Sequence, residues 1–264
     1  MGYEQLIVDV QEGVAIVRMN NPARLNALSL TMSAELLEAL RGLADDERVR
    51  ALVLTGEGRG FSAGADLSGL QEPYLKGERP KLSLFLKEGY NRLIPLLAEM
   101  PKPVIAAING VVAGAGNSLA LACDLRVASQ EASFTMAFVK IGLIPDAGSC
   151  YLLPRTVGMA GALELALLSD KVDAATALRV GLVNRVVPAA ALMGEALDLA
   201  RRLAQMPTKA IALTKRTFNE AARLTLAETM EREAAVQDEA AATHDHLEGV
   251  IAFLEKRPPA FIGK

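Results

Sequence analysis

PVIAAINGVVAGAGNSLALACDLRVASQEASFTMAFVKIGLIPDAGSCYLL, residues Pro103 to Leu153, runs from strand through loop to helix and then begins again. The apolar run Val104–Ile108 leads through Asn109-Gly110 into a loop holding Gly114 and Gly116, and an apolar helical segment follows to about Ala122. A second apolar strand is expected at Leu125–Ala128, and the loop Ile144-Pro145-Asp146-Ala147-Gly148 opens another helix. Strands alternating with helices argue for an α/β core. N–H groups at a helix N-terminus have no intrahelical acceptor, and the helix dipole adds positive potential there. Two glycine-bearing helix starts therefore suit a developing negative charge. Asp146 is the one ionisable residue in the second loop, and the combination points to enolate chemistry.

Upstream, Leu6–Val10 and Val14–Met19 read as a hairpin around Glu12-Gly13. A helix is expected from Ser29 to Ala44, with Met32, Leu36, Leu37, Leu40 and Leu43 at helical spacing, and a buried strand at Ala51–Thr55. The glycine loop Gly56–Gly60 and Phe61-Ser-Ala-Gly-Ala-Asp66 come next. Residues 67–80 read as an irregular covering segment, and one helix is expected from Leu82 to Met100. Downstream the pattern is mostly helical: Gly158–Leu168, Ala174–Val180, Ala190–Ala204, Thr208–Ala222, Leu226–Ala241 and Asp245–Lys256, with a short strand at Asn184–Val187. The division expected is a core over residues 1–200 and a helical region over 201–264.

Of the 264 residues, 51% are hydrophobic and 22% charged, enough for a substantial core and too apolar for disorder. A net charge of −3 argues against nucleic acid as a partner. Cys123 and Cys150 lack metal-ligand spacing, so they read as two reduced cysteines and no metal site is expected. With no secretory pattern at the N-terminus and no uninterrupted apolar run of membrane-spanning length, the chain reads as cytoplasmic.

Gly114-Ala-Gly116-Asn-Ser-Leu119 fails as a dinucleotide fingerprint, because Leu119 holds the third glycine position and no acid follows at a strand end. Gly116-Asn-Ser118-Leu-Ala120, with Asp146 and His244 downstream, keeps a serine-hydrolase reading open, although its last glycine is missing. Asp146 serves equally well on spacing as a helix N-cap or as a catalyst. Phe134, Met136, Phe138 and Tyr151 lie between and beside the glycine loops and are candidates for pocket lining.

Four separated segments then carry a resemblance: Arg59-Gly-Phe-Ser-Ala-Gly-Ala-Asp66, Asn109-Gly-Val-Val-Ala-Gly-Ala-Gly116, Gly142-Leu-Ile-Pro-Asp-Ala-Gly148 and Leu178–Pro188. In this order they resemble the crotonase superfamily, the enoyl-CoA hydratase/isomerase proteins, from Asn21–Leu28 to Glu248–Arg257. The resemblance implies an α/β spiral of ββα units, a helical C-terminal trimerisation region, a homotrimer or dimer of trimers, and an acyl-CoA substrate. Coenzyme A is then part of the substrate rather than a cofactor. It places the two amides that hold the thioester oxygen on Ala65 and Ala115. It lays coenzyme A along Ala23, Arg24, Leu25, Arg59, Ala63, Asp66 and Leu67, with Phe253 and Lys256 approaching from the C-terminal region of this or a neighbouring subunit. The acyl pocket would include Gly114, Ser118, Met136, Phe138 and Tyr151.

The hydratases of that family use two glutamates, and the matching positions here hold Ser118 and Phe138. Asp146 falls where several CoA isomerases carry their acid/base. The resemblance thus implies a CoA-thioester isomerase, of 3-enoyl or 1,2-epoxyphenylacetyl type, with a hydratase or a non-catalytic acyl-CoA-binding subunit as the alternatives. Ser149-Cys150 departs from the family's usual glycine and polar residue.

Overall fold

A computed structural model describes residues 2–264. The hairpin of β1 (Leu6–Gln11) and β2 (Val14–Met19) turns at Glu12-Gly13, both at positive φ. Helix α1 (Leu30–Asp45) starts on Ser29, whose hydroxyl accepts the Met32 N–H at 3.0 Å and so satisfies a free donor of the first turn. Then come β3 (Ala51–Gly56), β4 (Gly60–Ser62), α2 (Gln71–Leu75), α3 (Leu82–Glu88) and α4 (Tyr90–Ala98). One ββα unit is β5 (Val104–Ile108), β6 (Val111–Ala113) and α5 (Ala115–Leu121). The next is β7 (Leu125–Ser129), β8 (Ser133–Thr135) and α6 (Ser149–Leu168). After β9 (Val172–Asp173), α7 (Ala174–Arg179), β10 (Arg185–Val187) and α8 (Leu192–Ala204), the chain ends in α9 (Thr208–Ala221), α10 (Leu226–Ala241) and α11 (His244–Glu255).

One sheet has six strands in the order β1-β2-β3-β5-β7-β10, parallel from β2 onward, and a second has the order β4-β6-β8-β9. Between β3 and β8 successive strands alternate between the sheets, which winds the chain into the expected spiral of ββα units. Leu52 and Leu54 of β3 and Val104, Ala106 and Ile108 of β5 enter the main core. Ala51, Val53, Ile105 and Ala107 face the other way, onto Leu192, Ala196, Leu199 and Ala200 of α8. Strands covered on both faces need no polar alternation, and this is why they read as continuous apolar runs.

Several elements differ from the sequence expectation. The second sheet was not foreseen, because its strands are two or three residues long and too short to show a period. The helix expected over 82–100 is two helices, broken at Gly89 (φ −105, ψ −92). The segment 67–80 is less irregular than expected, since it contains a 3₁₀ turn at Ser68–Leu70 and α2. The helix opened by the Ile144–Gly148 loop and the one expected over Gly158–Leu168 run together as α6. By length and composition α6 could cross a membrane, but Gly158 (φ 75, ψ 163) divides it and Arg155 and Glu164 interrupt it.

The C-terminal helices are tied back through buried polar contacts. Lys215 Nζ of α9 donates to Asp124 Oδ2 at 2.8 Å and to the Leu97 and Lys102 carbonyls. Asp245, buried at the start of α11, accepts the Ile262 and Gly263 amides. By contrast Leu226, Met230, Leu247, Phe253 and Leu254 on α10 and α11 stand exposed.

Candidate active site

The loop after β4 and the start of α5 bring two backbone amides together. Leu28 pairs with the chain at Ala65: its N–H donates to Gly64 O at 2.7 Å, and its carbonyl accepts the Asp66 N–H at 3.4 Å. This parallel bridge uses the Gly64 carbonyl and the Asp66 N–H and leaves the Ala65 N–H unpaired among the described residues. Ala115 is the first residue of α5, so its N–H has no intrahelical acceptor. Gly64 (φ +85) brings the two loops together: a Cβ placed on it would lie 2.5 Å from Ala113 O and 3.1 Å from Ala115 N. Only glycine tolerates both that backbone angle and that approach. Two free N–H groups thus meet at one place, an arrangement that can hold a single oxyanion.

They open onto a cavity of about 560 Å³ lined mostly by apolar side chains. Leu82, Phe85 and Leu86 of α3 close one side, and Phe138, Ile141 and Leu143 close another. Asp146 projects into it. Its Oδ1 is buried without a hydrogen-bond partner, and burial alone raises its carboxyl above the ordinary range. The side chain does not cap α6, whose N-cap is Gly148 with no side-chain bond. On the structure the capping reading of Asp146 fails.

The other lining carboxylate is Asp66. Burial would raise it, but the Ser68 N–H at 2.9 Å and the Arg24 guanidinium at 3.0 and 3.1 Å outweigh this and hold it below the usual range. Tyr90 of α4 also lines the cavity, and its hydroxyl donates to the Leu28 carbonyl at 3.2 Å. Burial, with Asp146 and then Asp66 nearby, pushes its phenol well above the usual value, so it stays a neutral donor. Sequence reasoning missed Tyr90 and the α3 side chains; the glycine at 89 was the available signal.

Of the other expected site residues, Ala63, Asp66, Leu67, Gly114 and Phe138 line the cavity with Ala65, Ala115 and Asp146. Ala23, Arg24 and Leu25 sit on the neighbouring turn, where the Leu25 carbonyl accepts the Ala63 N–H at 2.8 Å. Buried Asn26 fastens that turn to the loop before β4 through Glu57 and Gly60 carbonyls, with Arg59 exposed between them.

Three residues expected in the acyl pocket do not line this cavity. Ser118 is fully buried behind the cavity, where its hydroxyl donates to the Asp146 carbonyl at 3.1 Å. Met136 packs into the main core, because left-handed Ala137 (φ 63) turns the chain so that Phe138 faces the cavity instead. Tyr151 lies outside the lining with Arg155 stacked 3.5 Å over its ring. Phe253 and Lys256 are on or just past α11, exposed and away from this cavity. No histidine contacts Ser118, whose partners are Asp146 and Ser149, so the serine-hydrolase reading has no base. Among the described residues no cluster suits a metal ion.

A sequence profile described as Enoyl-CoA hydratase/isomerase matches residues 9–264. The chain is 44% identical over 262 residues to a 1,2-epoxyphenylacetyl-CoA isomerase of Escherichia coli K12, covering 99% of each chain. It is 36% identical over 265 residues to a crotonyl-CoA hydratase of Syntrophomonas wolfei, covering 100% of each. It superposes on the crystal structure of an enoyl-CoA hydratase from Bacillus anthracis with a TM-score of 0.91 at 32% identity, covering 99% of this chain and 100% of that one.

Proposed function

The chain belongs to the enoyl-CoA hydratase/isomerase family, and from that premise we propose that it is a CoA-thioester isomerase in which Asp146 alone carries the proton. Enzymes of this family act on CoA thioesters. The observation that carries the finer reading is the state of the cavity's carboxylates. Asp66 is engaged by Arg24 and Ser68, while Asp146 is half-buried and its Oδ1 has no partner among the described residues.

The thioester oxygen binds the Ala65 and Ala115 amides. Asp146 removes a proton from C2 of a 3-enoyl thioester, and the electron pair moves onto the thioester oxygen. Asp146 then returns the proton to C4, leaving the double bond between C2 and C3. Its raised proton affinity suits both removal and return. Hydration needs a second group to steer water, and Phe138 in the cavity and Ser118 behind it offer no carboxylate. The ring-epoxide thioester of the E. coli relative is the other substrate class that this apolar cavity and enolate site suit.

A hydratase is the second reading, favoured by the name of the S. wolfei relative. Product analysis on 3-enoyl, epoxyphenylacetyl and crotonyl thioesters separates them. An isomerase yields conjugated 2-enoyl or rearranged ring product; rapid loss of the conjugated ultraviolet absorbance from crotonyl-CoA would refute the proposal. Tight ester binding with no product from any thioester would instead mark a non-catalytic acyl-CoA-binding subunit.

A further inference from the structure

Asp146 is held by its backbone rather than by its side chain. Its carbonyl accepts the Ser149 N–H at 2.8 Å and the Ser118 hydroxyl at 3.1 Å. The Ser118 and Ser149 hydroxyl oxygens are 2.6 Å apart, and both side chains are fully buried. Since the Ser118 proton goes to the Asp146 carbonyl, Ser149 must donate to Ser118, and a closed ring of hydrogen bonds results. The two residues inside this turn are left-handed: Gly148 at φ 80 and, less usually, Ala147 at φ 48. A non-glycine residue keeps such a conformation when its surroundings over-determine it, and such outliers cluster at functional sites. The ring closes across this turn, and Ala147 itself is buried in the main core. Among the described residues no hydrogen-bond donor touches the carboxylate, and its Oδ1 is buried.

We propose that the Ser118–Ser149 hydroxyl pair is the positioning element of the acid/base, fixing Asp146 through its main-chain carbonyl so that the carboxylate enters the cavity with no donor on it. A carboxylate anchored by a donor to its own oxygens would be equally well placed but less basic. Anchoring the carbonyl separates position from basicity. The role assigned to the pair rests on Asp146 acting as the acid/base.

The test uses Ser118→Ala and Ser149→Ala in the full chain, with Asp146→Asn as reference. In protein labelled with carbon-13 at the aspartate carboxyls, the Asp146 signal is the one missing from the Asp146→Asn spectrum. The titratable groups that share its cavity are Asp66, on the loop after β4, and Tyr90 of α4. The loosened loop admits water, so in both serine variants the Asp146 midpoint should fall toward the ordinary carboxylate range. The acidic limb of the kcat/KM profile should move the same way. On the thioester that the parent converts, kcat should drop roughly 10- to 100-fold with KM changed less than about twofold, the scale expected when a reacting group is slightly misplaced.

Folded serine variants with an unchanged Asp146 midpoint and unchanged kcat overturn the inference. So does failure of both variants to fold while Asp146→Asn folds, because the pair would then support the fold and not the carboxylate. Full activity of Asp146→Asn refutes the isomerase reading instead, and the carboxyl titration still decides whether the pair sets the state of Asp146.

Discussion

Gly64→Ala probes the oxyanion site directly. The new Cβ would meet Ala113 O at 2.5 Å and Ala115 N at 3.1 Å, both main-chain atoms of the facing loop. The backbone angle of φ +85 adds a penalty of about 1–2 kcal/mol for any residue with a Cβ. The clash can be relieved only by parting the loops, and that separates the Ala65 and Ala115 amides. Loss of one donor from such a pair costs about 10²–10³-fold in kcat. Gly77→Ala is the matched control, because Gly77 has a similar φ of +76 but nothing within 4 Å of its would-be Cβ. It shares the backbone penalty and leaves the site untouched. Steady-state kinetics on the converted thioester, beside circular dichroism and thermal melts, gives the comparison. The reasoning is refuted if Gly64→Ala is folded and turns over as fast as Gly77→Ala.

Tyr90→Phe keeps the ring and removes the bond to the Leu28 carbonyl, so a denaturant titration should show a loss of about 0.5–1.5 kcal/mol. The carboxyl of Asp146 is raised by burial, so its ionisation costs the folded state, and neutral Asn escapes that cost. Asp146→Asn should therefore melt at the same temperature as the parent below the ordinary carboxylate pKa, and increasingly above it as pH rises through the raised value. The exposed Leu226, Met230, Phe253 and Leu254 on α10 and α11 and Met159, Leu163 and Leu167 on α6 call for partner subunits, and light scattering should report a trimer or a hexamer. A fully active monomer at assay concentration would contradict this.

The strands of the larger sheet were legible because burial on both faces leaves unbroken apolar runs such as Val104–Ile108. The loops before α5 and α6 were legible as helix starts, and residues 65 and 115, placed by the resemblance, both line the cavity. The second sheet was not, although it is what brings Gly64 against Ala113. Alternation cannot be seen in a strand like Gly60–Ser62. Met136 and Phe138 share a parity that would put both on one face, and the left-handed Ala137 between them sends only Phe138 to the cavity. Such a backbone angle on alanine leaves no mark in a sequence. Spacing could not separate cap from catalyst at Asp146, since both roles use an acid before a helix. The hydrogen bonds exclude the cap, by leaving Oδ1 unpaired among the described residues and holding the carbonyl.

The central claim, that one carboxylate carries the proton both ways, is tested by Asp146→Asn on the thioester that the parent isomerises, with binding of the same ester measured alongside. The substitution keeps the size of the side chain and removes no hydrogen bond made by the carboxylate. Ester affinity should be nearly unchanged, and isomerisation should fall toward the upper end of the roughly 10²–10⁴-fold range of general acid–base catalysis. Near-normal turnover by Asp146→Asn on every ester the parent converts would contradict the account.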